Sequence, residues 1–124
     1  MSDCIFCESN LQRAPIRTFD NCYVLEDAYP VSKGHLLIIP KEHVLDWFSA
    51  SKPLQLELLD ALSEMKQYLE DKHQPDGYNI GMNCGNAAGQ SIMHLHIHLI
   101  PRYQGDSQNP KGGVRGVIPS KQSY

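Results

Sequence analysis

The sequence predicts an α+β domain in which an antiparallel sheet carries one long helix on one side. Three observations support this. Leu54, Leu58, Leu62, Met65 and Leu69 recur at helical spacing behind Ser51, a suitable N-cap, and Pro53, which suits a first turn; His73-Gln-Pro-Asp-Gly77 ends the pattern. Short apolar runs separated by hairpin-length gaps lie on both sides of that helix. No internal repeat is present, and 124 residues suffice for one core but not two, which leaves no room for a separate cofactor domain.

Taken in order, Cys22-Tyr-Val-Leu-Glu26 reads as a short strand. Pro30 to Gly34 supplies a turn, and His35-Leu-Leu-Ile-Ile39 forms a second strand stopped by Pro40. Alternation puts His35, Leu37 and Ile39 on one face and Leu36 and Ile38 on the other. After the helix, Tyr78, Ile80 and Met82 alternate with Asn79, Gly81 and Asn83, a strand with an apolar and a polar face. Gly85 to Gly89 breaks the chain, and His94 to Ile100 is the next strand. Beyond Pro101 the composition turns to Gly, Pro, Asn and Lys, with a short strand expected at Val114 to Ile118.

The bulk properties exclude several functions. A net charge of -3 without clustered Lys and Arg argues against duplex nucleic acid as a partner, while small phosphorylated ligands remain open. No apolar run approaches the ~20 residues of a membrane span. The start, Met-Ser-Asp-Cys, lacks the regions of a signal peptide, so a cytoplasmic protein with no membrane partner is expected. There the four cysteines are thiols or metal ligands rather than disulfides. Cys22 and Cys84 receive no role.

Three of the six histidines occupy His94-Leu-His96-Ile-His98. Period-two alternation sets these three on one face and Leu95, Ile97 and Leu99 on the other, so the apolar side joins the core while the imidazoles line a cleft. Residues two apart on a strand are separated by ~6.6 Å, and His94 and His98 by ~13 Å. One metal with ~2 Å bonds does not reach all three rings, although His96 and His98 as a pair could share one. Just upstream, Gly85-Asn-Ala-Ala-Gly-Gln-Ser91 offers backbone amides and short polar side chains for phosphate oxygens. Donors of that kind beside a neutral imidazole suit phosphoryl chemistry.

Gly89-Gln90-Ser91 followed by His94-Leu-His96-Ile-His98-Leu-Ile100 resembles the signature of the histidine triad family. Gly34-His35-Leu-Leu-Ile-Ile-Pro40-Lys-Glu-His43 and Cys4-Ile-Phe-Cys7 resemble further segments of that family, so the likeness covers nearly the whole chain. It implies one domain over residues 1–124, with a short helix beside the long one, a C-terminal tail of about 104–124 packing near the active site, and a homodimer. It also implies a hydrolase or transferase acting on the α-phosphate of nucleotidyl substrates through a covalent nucleotidyl-His96. His98 would bind phosphate and assist the leaving group, and His35 would complete the histidine cluster. Phe6 and Leu37 would sandwich the base, Asp27 would bind the ribose hydroxyls, and Asn83, Gly89, Gln90 and Ser91 would contact phosphate and sugar.

By the same resemblance, Cys4, Cys7, His43 and His94 are candidate ligands of a structural Zn²⁺, in a closed Cys₂His₂ set. The segment after the triad looks like the dinucleoside polyphosphate hydrolase-like branch. There Arg102 and Arg115 either meet a second anionic half of the substrate or are surface arginines, solvated or held in a structural ion pair. The alternatives are a nucleoside phosphoramidase of the same family, a zinc-dependent hydrolase using His96 and His98, and a nucleotide-binding regulator with little turnover.

Overall fold

A computed structural model describes residues 3–124. Helix α1 (Lys52–His73) begins where Ser51 accepts a hydrogen bond from the Leu54 amide at 3.3 Å. It ends at Gln74, whose φ of 48° lies in the left-handed region. Its buried stripe is Leu54, Leu58, Ala61, Met65 and Leu69. Burying each Leu or Met side chain stabilises the fold by roughly 1.5–3 kcal/mol.

The stripe lies on a five-stranded antiparallel sheet built from β1 (Arg17–Thr18), β2 (Cys22–Glu26), β3 (Leu36–Pro40), β4 (Gly77–Gly81) and β5 (Ile97–Arg102). The spatial order is β1-β2-β3-β5-β4. Alternation divides the sheet as the sequence predicts. Val24, Leu36, Ile38, Leu95, Ile97 and Leu99 pack with α1, while Tyr23, Leu25, Leu37 and Ile39 form a second cluster with Phe6. The N-terminal segment thus covers part of the face that α1 leaves, and the Tyr23 hydroxyl donates to the Phe6 carbonyl. Opposite Leu37 in the β3–β5 register stands His98, and the Asp27 amide donates to the His35 carbonyl at 3.0 Å. The β2–β3 hairpin therefore brings Asp27 and His35 beside His98.

Four details depart from the sequence reading. The last strand starts at Ile97, not His94, because the Leu95 amide donates to the Val44 carbonyl at 2.8 Å before β5 joins β3. Residues 114–118 form no strand: Gly113–Val117 is a 3₁₀ turn, set by positive φ at Gly112 (89°) and Gly113 (44°) and closed by local bonds. Strand β1 escaped the pattern because two residues are too few for periodicity. Ile80 shares its parity with Tyr78 and Met82, yet it is 47% exposed on the edge strand.

Arg102 and Arg115 both hold the tail. Arg102 makes paired bonds to Asp106 at 2.8 and 2.7 Å and donates to Asn79 at 2.6 Å. Arg115 donates to the Lys121 and Gln122 carbonyls and lies 4.6 Å from the Tyr124 ring centroid. At the root of the tail, the Tyr103 hydroxyl donates to the Lys33 carbonyl at 2.7 Å, two residues before His35. Among the described residues no helix is long and apolar enough to cross a membrane.

Candidate active site and metal cluster

His96 faces away from Leu95 and Ile97, which belong to the core beneath α1. Its Nδ1 lies 2.8 Å from the His94 carbonyl. A carbonyl only accepts, so Nδ1 carries the proton and Nε2 keeps its lone pair. The Phe6 ring meets His96 edge-on at 5.1 Å between centroids, and His98 does so at 5.3 Å. The imidazole is thereby held in one orientation with a nucleophilic nitrogen.

His98 and His35 have their tautomers assigned by a chain of bonds. The Val31 amide donates to His35 Nδ1 at 3.0 Å, so the His35 proton sits on Nε2. That Nε2–H is 2.9 Å from His98 Nδ1, which accepts it and leaves the His98 proton on Nε2. Burial pushes His98 down to about 4, with His96 and His35 adding to the effect and Asp27 opposing it. Burial likewise lowers His35, again against the pull of Asp27. Both rings are therefore neutral at pH 7.

Asp27 stands at the centre of this pair. One carboxylate oxygen accepts from the Tyr29 amide at 2.9 Å; the other lies 3.3 Å from His35 Nε2 and 3.8 Å from His98 Nδ1. The sequence offered Asp27 only as a ribose ligand. Its contact with the histidines escaped notice, although the pairing of residues 27 and 35 across a hairpin was the signal that could have found it. Beside Asp27 opens an apolar cleft of about 480 Å³ that Phe6, Leu25, Leu37 and Ile92 line.

The loop after β4 is shaped by positive φ at Gly85 (96°) and Gly89 (92°). Gln90 is buried at 4% exposure and its amide is engaged with backbone: it accepts from Gly85 and donates to the Leu45 and Ile92 carbonyls at 2.7 and 3.2 Å. In this structure Gln90 braces the loop. Ser91 is exposed and lines a pocket with Cys4 and His43, and Asn83 is half-buried between β4 and the loop.

Cys4, Cys7, His43 and His94 converge, with their donor atoms within 4.8 Å of one another. His94 Nε2 donates to the Pro40 carbonyl at 2.8 Å, so the lone pair of Nδ1 faces the cluster. That nitrogen lies 3.3 Å from Cys4 Sγ, 3.8 Å from Cys7 Sγ and 3.2 Å from His43 Nδ1, and Cys7 Sγ is 3.3 Å from His43 Nδ1. Tetrahedral zinc, with bonds of about 2.3 Å to sulfur and 2.0–2.1 Å to nitrogen, requires separations of about 3.5 Å for S···N and 3.3 Å for N···N. The cluster is compatible with a zinc site in both distances and donor chemistry.

A family model described as "HIT domain" matches residues 9–105. A HIT-like protein of Methanocaldococcus jannaschii is 37% identical over 120 residues, which span 92% of this chain and 91% of that protein. An AP-4-A phosphorylase of Mycobacterium tuberculosis is 31% identical over 86 residues, 68% of this chain but only 44% of the relative. A crystal structure described as a Zn-bound histidine triad family protein from Mycobacterium smegmatis superposes with a TM-score of 0.78 at 28% identity, covering 87% of this chain and 81% of that one.

Proposed function

The chain belongs to the histidine triad (HIT) family, and on that premise we propose that it is a nucleotide hydrolase or transferase whose His96 attacks the α-phosphorus of a dinucleoside polyphosphate or related nucleotide conjugate. The observation that carries the reading is the 2.8 Å bond from His96 Nδ1 to the His94 carbonyl, with the Phe6 ring that meets His96 also lining an apolar cleft. The Nε2 lone pair forms a bond to phosphorus as the bond to the leaving group breaks. Water then attacks the phosphorus, the P–N bond breaks, and a nucleoside monophosphate leaves. Phe6 and Leu37 suit the base, Asp27 the ribose, and Asn83, Gly89 and Ser91 the phosphate oxygens on a loop that Gln90 braces, with His98 Nε2–H available to the same charge.

In this reading Cys4, Cys7, His43 and His94 hold a zinc ion that braces the N-terminal segment against the histidine segment and takes no part in the chemistry. Residues 1–124 act as one cytoplasmic domain with the tail rooted near His35, as Tyr103 suggests. Two copies pair across the open edge of β4, where Ile80 is exposed. Light scattering should give a dimer at micromolar concentration, and a monomer would remove that part.

Mass spectrometry of the protein mixed briefly with adenylates and guanylates, both phosphoanhydrides and phosphoramidates, tests the central step. A mononucleotidyl adduct on His96 is expected. Tight binding of nucleotide with neither adduct nor turnover would instead mark a regulator.

A further inference from the structure

We propose that Asp27 is the positioning residue that lets His98 act as an acid, by accepting the N–H groups of both His35 and His98 when the pair takes up an extra proton. The inference rests on the proposed attack by His96. It begins with a constraint on the observed tautomers: a neutral His98 whose Nδ1 accepts from His35 can offer Nε2–H as a hydrogen bond. It cannot release that proton without becoming an imidazolate. To protonate a leaving group it must first carry a second proton, on Nδ1.

That position is occupied, because His35 Nε2–H points at His98 Nδ1 from 2.9 Å, and the Val31 amide prevents His35 from moving its proton to Nδ1. Two N–H groups cannot face one another. The carboxylate oxygen of Asp27 lies 3.3 Å from His35 Nε2 and 3.8 Å from His98 Nδ1, so a shift of about half an ångström lets it accept from both, and its other oxygen is anchored by the Tyr29 amide. Among the described residues the titratable groups facing His98 are His96 on its own segment, His35 before β3 and Asp27 after β2, and of these Asp27 alone favours the charged ring. The pair takes its extra proton from solvent before the first step, and the proton balance of the cycle then closes. The imidazolium gives its Nε2 proton to the leaving group, keeping Nδ1–H on Asp27, and recovers an Nε2 proton from the attacking water in the second step.

The consequence depends on the leaving group. A nucleoside polyphosphate departs as a stable anion and needs no proton, whereas an amine must be protonated to leave. Asp27→Asn should therefore lower kcat/KM for a nucleoside phosphoramidate by on the order of 10²-fold, the usual size of a general-acid contribution. For a dinucleoside polyphosphate with the same nucleoside the loss should stay below about tenfold. Loss of ribose binding alone would lower both by one factor, and equal losses would overturn the proposal.

A second arm needs no substrate. Nitrogen NMR of the free protein should show His98 protonating at lower pH in Asp27→Asn than in wild type, and Asp27→Glu should restore part of the difference. An unchanged His98 titration in a folded Asp27→Asn protein would also overturn the proposal. Because this arm reads the ring directly, it stands apart from any failure to find the His96 adduct.

Discussion

Two histidine clusters lie within one small fold, and they differ in what stands behind each ring. In the first, His94 donates to the Pro40 carbonyl and turns a lone pair toward Cys4, Cys7 and His43. In the second, His35 accepts from the Val31 amide and turns an N–H toward Asp27 and His98. By side-chain type alone Asp27, His35 and His98 also form a donor group that could hold a metal. The amide behind His35 disfavours it, because a ligating imidazole normally donates its second nitrogen to an acceptor. A backbone carbonyl makes a ligand of a histidine and a backbone amide makes it a donor. His96, with the His94 carbonyl behind it, follows the first rule but stands in neither donor group found among the described residues, so its lone pair is left for a substrate.

Substitutions can break this contrast, and the largest effect is expected at His96. His96→Ala should keep the fold, since Leu95, Ile97 and Leu99 still pack, but lower turnover by about 10⁶-fold, as removal of a covalent nucleophile does. Steady-state assay together with circular dichroism checks both halves. Wild-type hydrolysis by the variant would overturn the covalent mechanism and the zinc-hydrolase reading alike, since both use His96. His98→Ala should be milder, at ~10²- to 10³-fold in kcat, because water and loop amides replace part of a lost donor.

On the metal side, Cys4→Ser combined with Cys7→Ser should lower Tm by on the order of 10 °C while sparing chemistry at His96. Metal analysis of protein purified without chelator should find zinc in the wild type only. If the pair of substitutions removed activity at an unchanged Tm, the metal would belong to the reaction and the contrast would fail.

The smallest effect is in the pH dependence of stability. His98 falls from 6.5 to about 4 on folding, so its contribution is complete above about pH 6.5 and lost as pH drops through about 4. His35 shifts in the same direction. Urea unfolding of wild type and His98→Gln should therefore converge between pH 7 and pH 4, the difference cancelling any loss of metal common to both. A gap independent of pH would show that folding does not lower the His98 pKa.

Much of this was legible in residue order. The period-two runs sorted Leu36 and Ile38 from Leu37 and Ile39, and Leu95, Ile97 and Leu99 from the histidines, because a side chain's face depends only on parity along an extended segment. The stripe and cap of α1 are equally local, and Ser51 does cap it. Cysteine and histidine spacing together with the family resemblance named the four residues that converge in space.

What tertiary structure decided are the relations between segments. Whether Val114–Ile118 pairs depends on a partner strand and on glycine dihedrals, and the chain closed a turn instead. Gln90 gave no sign in the sequence of spending its amide on Leu45 and Ile92, nor Arg102 of spending its guanidinium on Asp106 and Asn79. The tautomers lay furthest from reach. They are set by the Val31 amide and by the carbonyls of Pro40 and His94, and every residue but proline carries both groups. Residue identity determined that imidazoles would gather here; which nitrogen holds the proton follows only from which end of a peptide unit the fold presses against each ring.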